Sequence, residues 1–167
     1  MHLLSIVGAR PNFVKIAPIA WEVEKHPEIR HTLVHTGQHY DPVMSADFFD
    51  VLHIPHPDIN LGIGSDTHGR QTGRIMIELE GVLEELRPDW IITVGDVNST
   101  AAASLVAVKL GIRTVHVEAG LRSGDRSMPE EINRIVTDAV SDLHFVTEES
   151  GRSHLIEEGI SADKIYL

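Results

Sequence analysis

Three acidic side chains and one short basic segment hold most of the reactive chemistry in this sequence. Gly8-Ala9-Arg10-Pro11-Asn12, with Lys15 a turn later, directly follows an apolar run at residues 3–7. Gly8 permits a tight turn and a close backbone approach. Pro11 suits the first turn of a helix, whose free N–H groups and partial positive charge attract anions. Arg10 and Lys15 add two formal charges, so the segment reads as a phosphate site. Gly95-Asp96 follows a second apolar run, and Glu118-Ala119-Gly120-Leu121-Arg122-Ser123 closes a third. Asp96 and Glu118 would then end adjacent strands and face one crevice. Glu130 and Glu131 open a helix behind Pro129, where the helix dipole favours their charged forms; the plainer reading is that they only cap it. Carboxylates gathered in one crevice raise one another's pKa, which suits general acid or base work. They also stabilise positive charge at a sugar carbon.

Other chemistries are disfavoured. Gly8 is not followed by the second and third glycines of a dinucleotide fingerprint. Gly62-Ile63-Gly64 is incomplete too, because Thr67 stands where the third glycine belongs. There is no Walker loop, so NAD and ATP are disfavoured. The chain has no cysteine, which removes disulfides, thiolate metal sites and a cysteine nucleophile. Its 11 histidines include His31, His35 and His39, spaced by four, but that spacing makes a ligand row only on a helix and this segment reads as a strand. His116 and Glu118 lack a third partner at metal spacing, so no metal is expected. His39, after Gly37-Gln38, is the histidine best placed for a ligand contact, with a plain turn histidine as the alternative. No Gly-x-Ser-x-Gly elbow is present.

The elements that must position these groups alternate β and α. Strands are expected at 3–7, 32–36, 90–94, 114–118 and 143–147, with weaker ones at 59–61 and 164–167. Nearly all are apolar throughout, as in a parallel sheet covered on both faces. Pro11 starts a helix with a stripe of Phe13, Ile16, Ala17, Ala20 and Trp21. A weaker helix is expected at 42–51. Ile75, Leu79, Val82, Leu83 and Leu86 mark a third, and residues 99–110 a buried fourth. Pro129 opens a fifth with a core face of Ile132, Ile135, Val136, Ala139 and Val140. Thr147 is expected to cap the last. The pattern predicts an α/β fold with a doubly wound parallel sheet in the order 3-2-1-4-5 and a crevice at the carboxyl ends of its strands. The 167 residues form one domain, with a formal charge of −11 and 42% hydrophobic residues. An acidic chain without a basic stripe argues against nucleic acid. No apolar run approaches the ~20 residues of a membrane span, and the expected location is the cytoplasm.

The motif series Gly8-Ala9-Arg10-Pro11-Asn12-Phe13-Val14-Lys15, Thr36-Gly37-Gln38-His39, Gly95-Asp96, His116-Val117-Glu118-Ala119-Gly120-Leu121-Arg122-Ser123 and Pro129-Glu130-Glu131-Ile132-Asn133-Arg134 resembles that of the non-hydrolysing UDP-N-acetylglucosamine 2-epimerases. The resemblance implies that residues 1–167 are the Rossmann-like N-terminal half of a glycosyltransferase B type fold, with the second domain outside this chain. It implies interconversion of UDP-N-acetylglucosamine and UDP-N-acetylmannosamine, by elimination of UDP to 2-acetamidoglucal and its re-addition. By position, Asp96, Glu118 and Glu130 would be the catalytic carboxylates. Arg10 would meet the diphosphate, supported by Lys15, with Gly8, Gln38, His39, Arg122 and Arg134 as further substrate contacts. Gln38, His39 and Arg70 match positions lining a neighbouring site where substrate activates bacterial members, although Tyr40-Asp41-Pro42 departs from the bacterial pattern. The second domain normally supplies uridine contacts and a catalytic histidine, so the chain alone is expected to have little or no activity. The competing readings are a hydrolysing relative that releases UDP and N-acetylmannosamine, and a non-catalytic nucleotide-sugar binding module. A homodimer paired through the helix at 70–87 is compatible with the sequence.

Overall fold

The computed structural model describes residues 1–37 and 56–167. Its strands are β1 (His2–Val7), β2 (Arg30–His35), β3 (Ile59–Asn60), β4 (Trp90–Val94), β5 (Arg113–Val117), β6 (Leu143–Phe145) and β7 (Ile165–Tyr166). The helices among the described residues are α1 (Arg10–Glu24), α2 (His68–Leu86), α3 (Asn98–Lys109), α4 (Pro129–Val140) and α5 (Glu149–Glu157). Every expected strand is present within two residues of its predicted ends. The helix expected at 42–51 lies outside the described residues.

The strands form one parallel sheet in the order β3-β2-β1-β4-β5-β6-β7. The expected order is thus met and extended by two strands at one edge. Successive strand residues point to opposite faces, and both faces are covered. Leu4, Ile6, Val34 and Ile91 pack on one side against Leu79 and Leu83 of α2 and Ala103, Val106 and Ala107 of α3. Val7, Leu33, Ile92, Val94 and Val115 pack on the other against Phe13, Ile16, Ala17 and Ala20 of α1. That double burial is why the strands read as continuous apolar runs rather than alternating ones. The result is a Rossmann-like α/β fold.

Three local expectations are corrected. Trp21 is 41% exposed, so the α1 stripe ends at Ala20. Thr147 does not cap α5; Glu148 holds that position without a side-chain cap bond, and its carboxylate accepts from Ser150 Oγ at 2.5 Å. In α4 the buried residues are Glu131, Thr137 and Asp138, while Ile132 is 37% exposed. The helix turns its polar side inward because it faces the polar end of the sheet. There its carboxylates neutralise buried donors.

Candidate active site

The chain crosses from β3 at one edge to β4 beyond β1, so β1 and β4 are neighbours at the point where strand order reverses. Ile6 pairs with Thr93, and Val94 with Val117. The carboxyl ends of β1, β4 and β5 therefore lie side by side. The segments after them form a single lip, as expected for a ligand site in an open α/β sheet.

At β1, the turn into α1 is set by Asn12. Its Oδ1 accepts from the N–H groups of Gly8 at 3.1 Å and Ala9 at 2.9 Å, and its Nδ2 donates to Val94 O at 3.0 Å. One buried side chain thus shapes the turn and ties it to β4. Gly8 must lack a side chain, because a Cβ there would lie 2.3 Å from Ser99 Oγ and 3.1 Å from Thr36 Oγ1. Arg10 opens α1 and is exposed. Among the described residues it makes no ion pair, so its guanidinium and the first-turn N–H groups are available to an anion.

The carboxylates are each handled differently. Asp96 is bound by Arg134, with Nε at 3.0 Å and Nη2 at 2.5 Å from the same Oδ2. Its carbonyl accepts from Asn133 Nδ2 at 2.9 Å. Glu118 pairs with Lys15 Nζ. A Cβ at Gly95 would lie 3.3 to 3.4 Å from Asn12 Nδ2, Glu118 Oε2 and Lys15 Nζ, so the α1 turn, the β4 end and the β5 end meet there. Glu130 is half-buried in the first turn of α4 and has no ion-pair partner among the described residues. Rather than acting on one another, Asp96 and Glu118 each hold a cation. Lys15 and Arg134 are thereby committed to carboxylates, whereas Arg10 has no ion pair among the described residues.

Glu118 has φ +73°, a left-handed conformation that costs a residue with a Cβ about 1 kcal/mol or more. The N–H groups of Glu118 and Ala119 both donate to Phe145 O, at 2.9 and 3.0 Å, and this holds the kink. Strain of this kind aims the side chain back over β4. Glu118→Gly is therefore expected to be more stable than Glu118→Ala by about 1 kcal/mol in chemical denaturation, although both lose the Lys15 pair. Equal stability would show that the kink is not strained.

Glu131, the neighbour of the expected catalytic Glu130, organises the loop above β5. It is 2% exposed. Its oxygens accept from Ser123 N and Gly124 N, both at 3.0 Å, and from Arg134 Nη1 at 2.9 Å. Burial alone would raise its pKa. The two backbone donors and Arg134 outweigh burial and lower it from 4.5 to about 2. A depressed carboxyl pKa stabilises the fold above the unfolded value, and that stability is lost as pH falls from about 4.5 towards 2. Thermal melting should find Glu131→Gln less stable than the parent at pH 6. The gap should shrink steadily between pH 4.5 and pH 2.5; a gap independent of pH would contradict this.

Arg122 is turned away from the lip. Its guanidinium meets Asp138 Oδ2 at 2.8 Å and Glu158 Oε2 at 2.5 Å, and its side chain is 9% exposed. Arg70 sits exposed in the first turn of α2. Gln38 and His39 lie outside the described residues. Among the described residues, no group of three or more His, Cys, Asp or Glu is placed to hold a metal ion. No helix among them is long and apolar enough to cross a membrane.

Comparison with known proteins identifies the family. The family model described as UDP-N-acetylglucosamine 2-epimerase matches residues 21–167. A UDP-N-acetylglucosamine 2-epimerase homolog from Methanococcus maripaludis is 49% identical over 97% of this chain and 45% of its own length. A UDP-2,3-diacetamido-2,3-dideoxy-D-glucuronate 2-epimerase from Pseudomonas aeruginosa is 45% identical over 95% of this chain and 45% of its own length. The crystal structure of the Methanocaldococcus jannaschii UDP-GlcNAc 2-epimerase, in complex with UDP-GlcNAc and UDP, superposes with a TM-score of 0.96 at 47% identity, covering 100% of this chain and 46% of that one. The chain thus spans somewhat under half the length of the relatives it matches, and it aligns with their N-terminal half.

Proposed function

Because this chain belongs to the UDP-N-acetylglucosamine 2-epimerase family, we propose that it forms the N-terminal wall of an active site that inverts C2 of a UDP-linked 2-acetamido sugar. Arg10 and the first turn of α1 hold the diphosphate. Its negative charge grows as the bond between C1 and the UDP oxygen breaks, so a fixed cation and helix N-terminus there favour the transition state over the ground state. Asp96, Glu118 and Glu130 divide the remaining work. One takes the proton from C2 while the others stabilise positive charge developing at C1. Loss of UDP leaves 2-acetamidoglucal; the UDP oxygen then adds back to C1 as a proton is delivered to the opposite face of C2, which inverts that carbon. Gly8, Lys15, Gln38, His39 and Arg134 complete or support the substrate surface, with Arg122 bracing the turn beneath it and Gln38, His39 and Arg70 at a neighbouring activator site. No cofactor enters this scheme.

The observation that carries this proposal is Arg10, exposed at the start of α1 with no ion pair among the described residues and on the same lip as Asp96 and Glu118. The natural polypeptide carrying this chain should convert UDP-N-acetylglucosamine to UDP-N-acetylmannosamine. Release of free N-acetylmannosamine would mark a hydrolysing enzyme instead, and UDP binding without turnover a binding module. Residues 1–167 alone should turn over at least about 10²-fold more slowly, because catalytic groups must be held within fractions of an ångström by both walls of a cleft. Normal turnover by residues 1–167 would contradict that division of labour. Pairing of two copies through α2, which leaves Ile77 71% exposed, and a cytoplasmic location belong to the same proposal.

A further inference from the structure

Beneath the lip lies a buried polar cluster that takes no direct part in the chemistry above. His116, near the end of β5, is fully buried. Its Nε2 lies 2.8 Å from Gly95 O, and its Nδ1 lies 2.5 Å from Asp138 Oδ1. A backbone carbonyl only accepts, and so does an ionised carboxylate. The other oxygen of Asp138 accepts from Gly120 N at 3.0 Å and from Arg122 Nη1 at 2.8 Å, so this carboxylate has three donors around it. Burial alone would raise the Asp138 pKa, but the His116 and Arg122 contacts outweigh that and lower it. Asp138 is ionised, and both ring nitrogens of His116 therefore donate. Around this pair, Glu158 pairs with Arg122, His154 Nδ1 lies 2.9 Å from Gly120 O, and the buried His144, paired with His116 across β5 and β6, has its Nε2 2.8 Å from Asp138 O.

We infer that His116 is a positioning residue for the three carboxylates, a buried doubly protonated imidazole that clamps together the three segments carrying them. Through Gly95 O it fixes the residue before Asp96. Through its own strand it fixes Glu118, two residues on. Through Asp138 it fixes α4, whose first turn carries Glu130, and the Gly120–Arg122 turn. A hydrophobic residue at 116 would fill the same space without tying these segments to one another. A buried ion pair is weak grounds for stability but can specify one arrangement, and that is the role assigned here. The inference rests on the epimerase reading of the site.

The test uses the natural polypeptide carrying this chain. In the parent, NMR should find two slowly exchanging, downfield ring N–H protons on one histidine, both absent from His116→Gln. His116→Gln should lower kcat about 10²-fold, the scale of an ångström-level misplacement, with KM changed less than about threefold. Asp138→Asn should repeat that split, and it stands in if the first variant does not fold. A ring with one N–H, or parental kcat in a folded variant, would overturn the inference. Absence of turnover in the parent would overturn the functional reading instead, while the two N–H signals would still report on the clamp.

Discussion

Asp96→Asn is expected to lower the turnover of UDP-N-acetylglucosamine by the natural polypeptide between about 10²- and 10⁴-fold, the range spanned by loss of one positioned acid or base. Asn is nearly isosteric and keeps an oxygen for Arg134, which lies 2.5 Å from the carboxylate in the parent. The fold should therefore be little changed, and the loss should appear in kcat rather than KM. Glu118→Gln should behave alike, with one difference. It leaves Lys15 without its carboxylate, freeing a cation on the same lip as Arg10, so UDP should bind at least as tightly as before. Combining the two substitutions should cost less than the product of the separate losses, because groups that act as one unit are not additive. Parental kcat in either single variant would remove that residue from the chemistry.

The largest effect on stability is expected at Gly120. Its φ of +76° suits glycine, and a Cβ there would lie 2.2 Å from Gly151 O, 2.7 Å from Gly151 C and 2.9 Å from Gly151 Cα. These are backbone atoms in the first turn of α5, so no rotamer change relieves the clash. Displacing α5 would open the packing of Ala119, Val146, Leu155 and Ile165 and pull Gly120 N away from Asp138. Overpacking costs about 1–3 kcal/mol and a left-handed alanine about 1–2 kcal/mol. Gly120→Ala should therefore lose about 3 kcal/mol or more in chemical denaturation. Gly81→Ala is the matched control. That glycine is exposed in the middle of α2 with nothing within 4 Å of an added Cβ, and the change should gain up to about 1 kcal/mol from helix propensity. Similar outcomes at the two positions would contradict the packing described here.

The sheet, its order and the position of Arg10, Asp96 and Glu118 at its carboxyl end were legible because they rest on strong, local signals. Apolar runs separated by helical periods imply a parallel sheet, and a parallel sheet puts its loops at one end. Arg10, Asp96 and Glu118 could be placed on that lip from position alone. What the sequence hid was which side chains pair. The apolar spacing of Ile132, Ile135, Val136 and Ala139 pointed the wrong face of α4 inward, because the helix packs against charge rather than a hydrophobic layer. With that rotation reversed, Glu131 and Asp138 became buried anchors. Arg122 was bound beneath the lip by Asp138 and Glu158 rather than left facing it. Asn12 was readable in principle. It stands three and four residues after the N–H groups it caps, a known way for asparagine to shape a turn. His116 was dismissed for want of metal ligands, when its partners were a carbonyl and a carboxylate on other segments.

The most direct test is proton NMR of UDP-N-acetylglucosamine incubated in D2O with the natural polypeptide carrying this chain. If the carboxylates on the lip take the C2 proton while UDP departs and returns, the C2 proton signal should disappear as the epimer forms, and deuterium should be found at C2 of both sugars. Asp96→Asn and Glu118→Gln should each slow that exchange together with epimer formation. Epimer that retains the original C2 proton, or exchange that proceeds undiminished in both variants, would contradict the account.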